Sequence, residues 1–227
     1  MSLRNQSLLP DEYYHIYNRG NGKNKIFLEE EDYNRFTKIL YICNSENKFV
    51  FRESITKKRI DVWDFKKTNP LVDIVSWVLM PNHFHILLIS DSHRQDLWLE
   101  GLNPISMYMQ KVSTAYAMYF NKKYNRTGSL FEGKFKSKHV RQENHLQYLF
   151  AYIHLNPIKL IQPDWKENGV QDKKRALSYL KEYRYSSFQD YLHSNRKEAA
   201  ICNFEHPFQD FKYRHIEDIF TWINAQP

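Results

Sequence analysis

Hydrophobic and polar positions alternate over YYHIYN, Tyr13 to Asn18, which predicts a first strand, and Arg19-Gly20-Asn21-Gly22 closes it with turn chemistry. From Glu29 to Cys43 the period lengthens, and Tyr33, Phe36, Ile39 and Leu40 fall on one face of a helix. The polar stretch from Asn44 to Pro70 predicts a loop holding at most one short strand. Two apolar runs come next, Val72 to Met80 and His83 to Ser90, and the tight Met80-Pro81-Asn82 joint makes them a hairpin of interior strands.

Asn103 and Pro104 supply the N-cap and first-turn proline of a helix whose apolar stripe is Ile105, Met109, Val112, Tyr116 and Phe120. Another helix is predicted from Glu143 to Leu155, with Leu146, Leu149, Phe150 and Ile153 facing the core. Strand, helix, hairpin, helix and helix in that order predict an α+β fold in which helices cover an antiparallel sheet. Two further helical patterns, Lys173 to Tyr183 and Phe208 to Ile223, lie beyond. Residues 1–160 are therefore read as the main domain and 161–227 as a helical C-terminal extension packed on it.

At 227 residues the chain suits one domain with a sizeable core, which excludes a multidomain machine. The N-terminus has no apolar leader-like segment and no apolar run approaches a bilayer span, so a soluble, cytoplasmic protein without a membrane partner is expected. Cys43 and Cys202 are isolated, and both are read as structural.

Charge changes the picture more. The net charge is +7, and 16% of residues are aromatic. Between Lys122 and Arg141 seven cations, among them Arg126, Lys134, Lys136, Lys138 and Arg141, face the single carboxylate of Glu132, a local +6. The rings of Tyr124, Phe131 and Phe135 are interleaved with them. A solvated loop with docked rings has this composition, and so does a phosphate-tracking surface with Phe131 and Phe135 as base platforms. Arg19, on the turn after the first strand, is a further candidate for phosphate contact.

The run WVLMPNHFHILLIS holds two histidines in an apolar strand. Alternation puts His83 and His85 on one face, about 7 Å apart along the strand, with Phe84 and Ile86 on the other. Such a pair can hold a divalent metal through neutral ring nitrogens, or each ring can simply bond a backbone carbonyl or solvent. The stretch AYIHLNPIKL offers what a metal-assisted phosphoryl reaction needs: a nucleophile, Tyr152, and an amide oxygen, Asn156, four residues apart on one helix face. Pro157 disfavours helical geometry at Asn156, so the helix is expected to end there with Tyr152 in its last turn.

MPNHFHILL, then the basic GSLFEGKFKS, then YIHLNP resemble the HUH single-tyrosine transposases, in particular the REP-associated branch, and YRYSSFQDYL resembles a downstream feature of that branch. The resemblance covers residues 14–156. It implies a ferredoxin-like sheet, Mg²⁺ or Mn²⁺ as cofactor, and cleavage of single-stranded DNA beside an imperfect palindrome through a 5′-phosphotyrosine intermediate. On this chain it implies His83, His85 and Asn156 as metal ligands and Tyr152 as nucleophile. Tyr116 and Tyr119 also come after the histidine pair, but Tyr116 lies on an apolar stripe and neither has an asparagine four residues on. Single-stranded or hairpin DNA is the implied partner, for a monomer or a homodimer. Two other readings stand beside this one: a domesticated, non-transposing protein that binds DNA hairpins, and an RNA-binding module that leaves the histidine pair unexplained.

Overall fold

The computed structural model describes residues 8–47, 55, 57, 59–89, 94–192, 195–204 and 219–223. Four antiparallel strands form one sheet: β1 (Tyr13–Arg19), β2 (Asp73–Met80), β3 (His83–Ile89) and β4 (Lys136–Val140), in the order β2-β3-β1-β4. With α1 (Glu30–Cys43) between β1 and β2, and α3 (Pro104–Lys123) between β3 and β4, this is the ferredoxin-like arrangement. A short α2 (Gln95–Leu99) precedes α3. Among the described residues, 44–70 contribute no strand and include a 3-10 turn at Val62–Asp64.

α1 and α3 start at the capping residues their sequences supply. Glu29 and Asp32 cap α1 reciprocally, and Asn103 accepts the Ser106 amide at the start of α3, ahead of Pro104. The whole expected α3 stripe, from Ile105 to Phe120, is buried.

Alternation along the strands divides the molecule into layers. Tyr14, Ile16, Trp77, Leu79, Phe84, Ile86 and Leu88 point to one face and pack on α1 and α3 in the main core. Val78, Met80, Leu87 and Val140 point to the other, where α4 (Glu143–Leu155) covers them with Leu146, Leu149, Phe150 and Ile153. The cover is partial, and the ends of β1 and β3 nearest the β2–β3 turn stay open on that side.

α4 ends at Leu155 with Asn156 as its C-cap, as expected, but Asn156 itself keeps helical geometry. Its φ and ψ are −52° and −39°, and the chain continues as a 3-10 segment, Asn156–Leu160, with Pro157 in its first turn. A first-turn residue donates no intrahelical hydrogen bond, so the missing N–H of proline costs nothing there and the bias against a helical Asn156 is overridden. Tyr152 does lie in the last turn of α4, as expected.

The extension carries α5 (Trp165–Asn168), α6 (Lys173–Glu182) and, at its described end, α7 (Ile219–Trp222). The start of the last predicted helix, Phe208 to Asp218, lies outside the described residues. Residues 183–203 satisfy the outer edge of β2 almost group by group. Leu79 N–H donates to the Tyr185 carbonyl (2.9 Å), Trp77 N–H to Ser187 Oγ (2.9 Å) and Asn203 N–H to the Ile74 carbonyl (3.0 Å). The Tyr183 and Tyr191 hydroxyls donate to the carbonyls of Leu79 and Val75, each at 2.6 Å. An exposed row of strand donors and acceptors is thereby closed without a fifth strand.

Ser187 is fully buried and its hydroxyl also meets His154 Nε2 at 2.8 Å. Ser187→Ala leaves the Trp77 amide and His154 without their partner, and is expected to lower unfolding free energy by about 1–3 kcal/mol. A denaturant midpoint that does not move contradicts this account of the edge.

Candidate active site

The open end of the upper face is a cleft of ≈ 540 Å³ lined by Tyr17, Asn82, His83, His85, Tyr152 and the cations Arg19, Lys23, Lys136 and Lys159. Strand register assembles it, because Arg19 stands opposite His83 and Tyr17 opposite both His85 and Lys136. Alternation then turns all of these to one side. The His83 and His85 rings lie 5.0 Å apart between centroids.

The two rings are held in the same way. His83 Nδ1 donates to Asn82 Oδ1 at 2.7 Å, while Asn82 Nδ2 donates to the Lys23 carbonyl, which fixes the amide's orientation. His85 Nδ1 meets His15 Nε2 at 2.8 Å, with the rings stacked at 4.9 Å. With His85 as donor, each histidine has its Nδ1 engaged by an outer partner, the arrangement by which ligand histidines are oriented.

Burial keeps these rings neutral. It lowers His15 to about 3, aided by Lys138, His145 and Lys166, and His83 to about 4, where the Asn156 amide acts against the shift and Lys159, Lys166 and Arg19 add to it. His85 is pushed well below its ordinary value by burial and by its two histidine neighbours.

Asn156 is 3% exposed and its amide lies beside His83, yet its Oδ1 reaches no hydrogen-bond donor. A buried carbonyl oxygen without a partner is costly, and a cation is one group that would satisfy it. Two neutral imidazoles and this oxygen fit a divalent ion. Among the described residues no cluster of three His, Cys, Asp or Glu makes a complete cage. The remaining positions of such an ion therefore fall to water or substrate oxygens.

Tyr152 stands over these groups. Its ring meets His85 edge-on at 5.4 Å and His15 at 6.3 Å, with Tyr148 (6.2 Å) and Trp165 (6.5 Å) stacked alongside. Its hydroxyl accepts a hydrogen bond from Lys166 Nζ at 3.0 Å. A second opening, lined by His15, Lys138, His145 and Tyr148, shares Tyr17, His85 and Tyr152 with the first, so both flank the same phenol. Tyr116 and Tyr119 belong to α3 beneath the sheet, where their hydroxyls bond the Ile26 carbonyl and Asp32.

The other expected DNA-contact residues divide. Lys136 and Lys138 are exposed on β4 at the two openings. Arg19 reaches the cleft from the end of β1, not from the turn after it, and is paired on two sides with Glu132. Lys134 and Arg141 are exposed but line neither opening, Arg141 bonding His139. Arg126 lies over Phe120 at the far end of α3. Phe131 is 6% exposed and packed against Phe84 and Tyr116, so its faces are taken by the core and it offers no base platform. Phe135 is half-buried against the same core.

Sequence reasoning passed over His15, Asn82, Lys23, Lys159 and Lys166. His15 was within reach, since it shares the parity of Tyr13 and Tyr17 in the first strand; the lysines carry no local signal.

No family model matches the chain, and no curated protein matches it. A search of solved structures finds one described as "Structure of the REP associates tyrosine transposase bound to a REP hairpin", 13% identical, covering 85% of this chain and 86% of that one, with a TM-score of 0.49.

Neutral burial has a pH signature. His15 and His83 bind protons near 6.5 when unfolded but only at about 3 and about 4 when folded. Stability is then complete above about pH 6.5 and falls as pH drops towards 4, by up to about 1.4 kcal/mol per pH unit for each histidine. Melting temperature is expected to be level from pH 7 to 8 and to decline below 6.5, before most carboxylates titrate; a level profile down to pH 4.5 would mean the rings are not held neutral.

Proposed function

We propose that the chain is a metal-dependent HUH transposase of the REP-associated kind, which cuts and rejoins single-stranded DNA near hairpins through a 5′-phosphotyrosine intermediate. One observation carries the reading. The phenol of Tyr152 and the rings of His83 and His85, each oriented through its Nδ1, meet at one cleft with four cations on its walls, and buried Asn156, whose Oδ1 has no hydrogen-bond partner, lies beside His83. An RNA-binding sheet has no use for that arrangement, because stacking and phosphate contact need neither oriented imidazoles nor an unpartnered amide oxygen.

His83, His85 and Asn156 would hold Mg²⁺ or Mn²⁺. What such an ion supplies when bound is Lewis acidity towards a non-bridging phosphate oxygen. Lys23, Lys136 and Lys159 draw the DNA backbone into the cleft, and this attraction carries no sequence choice. Tyr152 Oη attacks phosphorus in line, the Oη–P bond forms as the P–O3′ bond breaks, and the 3′ oxygen leaves and takes a proton from solvent to become a 3′-hydroxyl. The phenol's proton passes to solvent. The phosphotyrosine retains the bond energy of the phosphodiester, so a second 3′-hydroxyl can expel Tyr152 and join new ends without ATP.

The wild-type chain with Mn²⁺ is expected to form an SDS-resistant adduct with single-stranded oligonucleotides that carry imperfect hairpins. Tyr152→Phe abolishes it, and His83→Ala or His85→Ala lowers both adduct yield and Mn²⁺ affinity by at least about tenfold. An undiminished adduct from Tyr152→Phe means that another residue is the nucleophile. Hairpin binding with no adduct from the wild type favours a domesticated binding protein.

A further inference from the structure

We propose that Lys166, in the extension, is a catalytic residue that balances charge on the Tyr152 oxygen in both cutting and joining; this rests on the reading of Tyr152 as nucleophile. Lys166 Nζ lies 3.0 Å from Tyr152 Oη and 4.1 Å from the centre of its ring. The ammonium therefore sits at the oxygen-bearing end of the phenol, against the atom that would react. Among the described residues it has no carboxylate partner, and Tyr152 is its one hydrogen-bond acceptor.

The position of Lys166 is set by its surroundings. Trp165 beside it is 2% exposed, packed with Leu155, Ile158 and Ala176. The Gln162 side chain bridges the Gly169 carbonyl and the Gln171 amide, closing the loop that carries α5. Asn168 Nδ2 bonds Asp164 Oδ2, which fastens the two ends of α5 together. Buried packing and short-range bonds thus bring the lysine stem to Tyr152, while its head stays in solvent contact.

The chemistry needs a charge there. As Tyr152 loses its proton to water, negative charge gathers on Oη before the bond to phosphorus is complete. The same charge returns to Oη when a 3′-hydroxyl attacks the phosphotyrosine and the Oη–P bond breaks. An ammonium already aimed at Oη stabilises both events without reorganisation, as fixed donors do at an oxyanion. No oxidant or co-reactant is involved, and Lys166 donates a hydrogen bond without forming a covalent one.

Single-turnover adduct formation with Mn²⁺ and hairpin DNA tests the assignment. Lys166→Gln is expected to slow cutting by about 10²-fold and to slow joining from the isolated adduct by a similar factor, while Lys166→Arg, which keeps a cationic donor, recovers much of the loss. Hairpin affinity and Mn²⁺ affinity should change by no more than about twofold, as should all rates in Lys173→Gln, which removes another cation of the extension. A substrate with sulfur in place of the scissile 3′ oxygen has a leaving group that needs no assistance, and it should not rescue Lys166→Gln.

Cutting by Lys166→Gln within about twofold of wild type overturns the inference, and so does full rescue by the sulfur substrate, which would place Lys166 at the leaving oxygen. Absence of any adduct with the wild-type chain removes the nucleophile reading itself, and this inference with it.

Discussion

The arrangement depends on the pairing of β1 with β3, in which Tyr17 stands opposite His85 and Arg19 opposite His83. Side chains alternate with a period of two, so this register decides which residues share a face. A slip of one residue in β3 would drive two imidazoles into the packed layer above α1 and α3 and expose Phe84 and Ile86 in the cleft. The cost of that exchange, several fully buried apolar side chains against unpaired polar ones, locks the register. The histidine pair is therefore held by the apolar residues that alternate with it. Phe84, Ile86 and Leu88 below the sheet do as much to place the site as anything in it.

The second support comes from far along the chain. Residues 183–203 meet the edge of β2 through two tyrosine hydroxyls, a serine hydroxyl and two backbone groups, across more than 100 residues of sequence. A boundary at residue 160 is covalently convenient and physically arbitrary, because residues well beyond it finish the edge of the sheet. The same extension carries Trp165 and Lys166 to the side of Tyr152.

What was legible in the sequence was local. β1, α1, the β2–β3 hairpin, α3 and α4 announce themselves through alternation or through the helical period, and their bounds agree closely with the patterns. β4 did not, because KSKHV is an edge strand whose charged residues face solvent and whose apolar contribution is almost confined to Val140. The stretch read as a basic loop is in part that strand. Tyr152, His83, His85 and Asn156 stand out in the sequence because strand and helix periods fix their faces. Phe131 was misjudged because composition cannot tell a ring that stacks on the core from one that waits for a base. The partners of His83 and His85 differ in kind: Asn82 is adjacent in sequence, while His15 is brought in by register 70 residues away. No periodicity reports that last contact, nor the one between Lys166 and Tyr152.

The finished edge of β2 also bears on how molecules of this chain meet one another. A sheet grows by adding strands at its edges, and here one edge is already occupied by hydroxyls and carbonyls that leave little for a neighbour to bond. The opposite edge is β4, where Lys136 and Lys138 put like charges on any second copy laid alongside. Edge-to-edge strand addition is thus disfavoured on one side by hydrogen-bonding groups already paired and on the other by like charge. A polyanion laid along β4 would remove the second barrier.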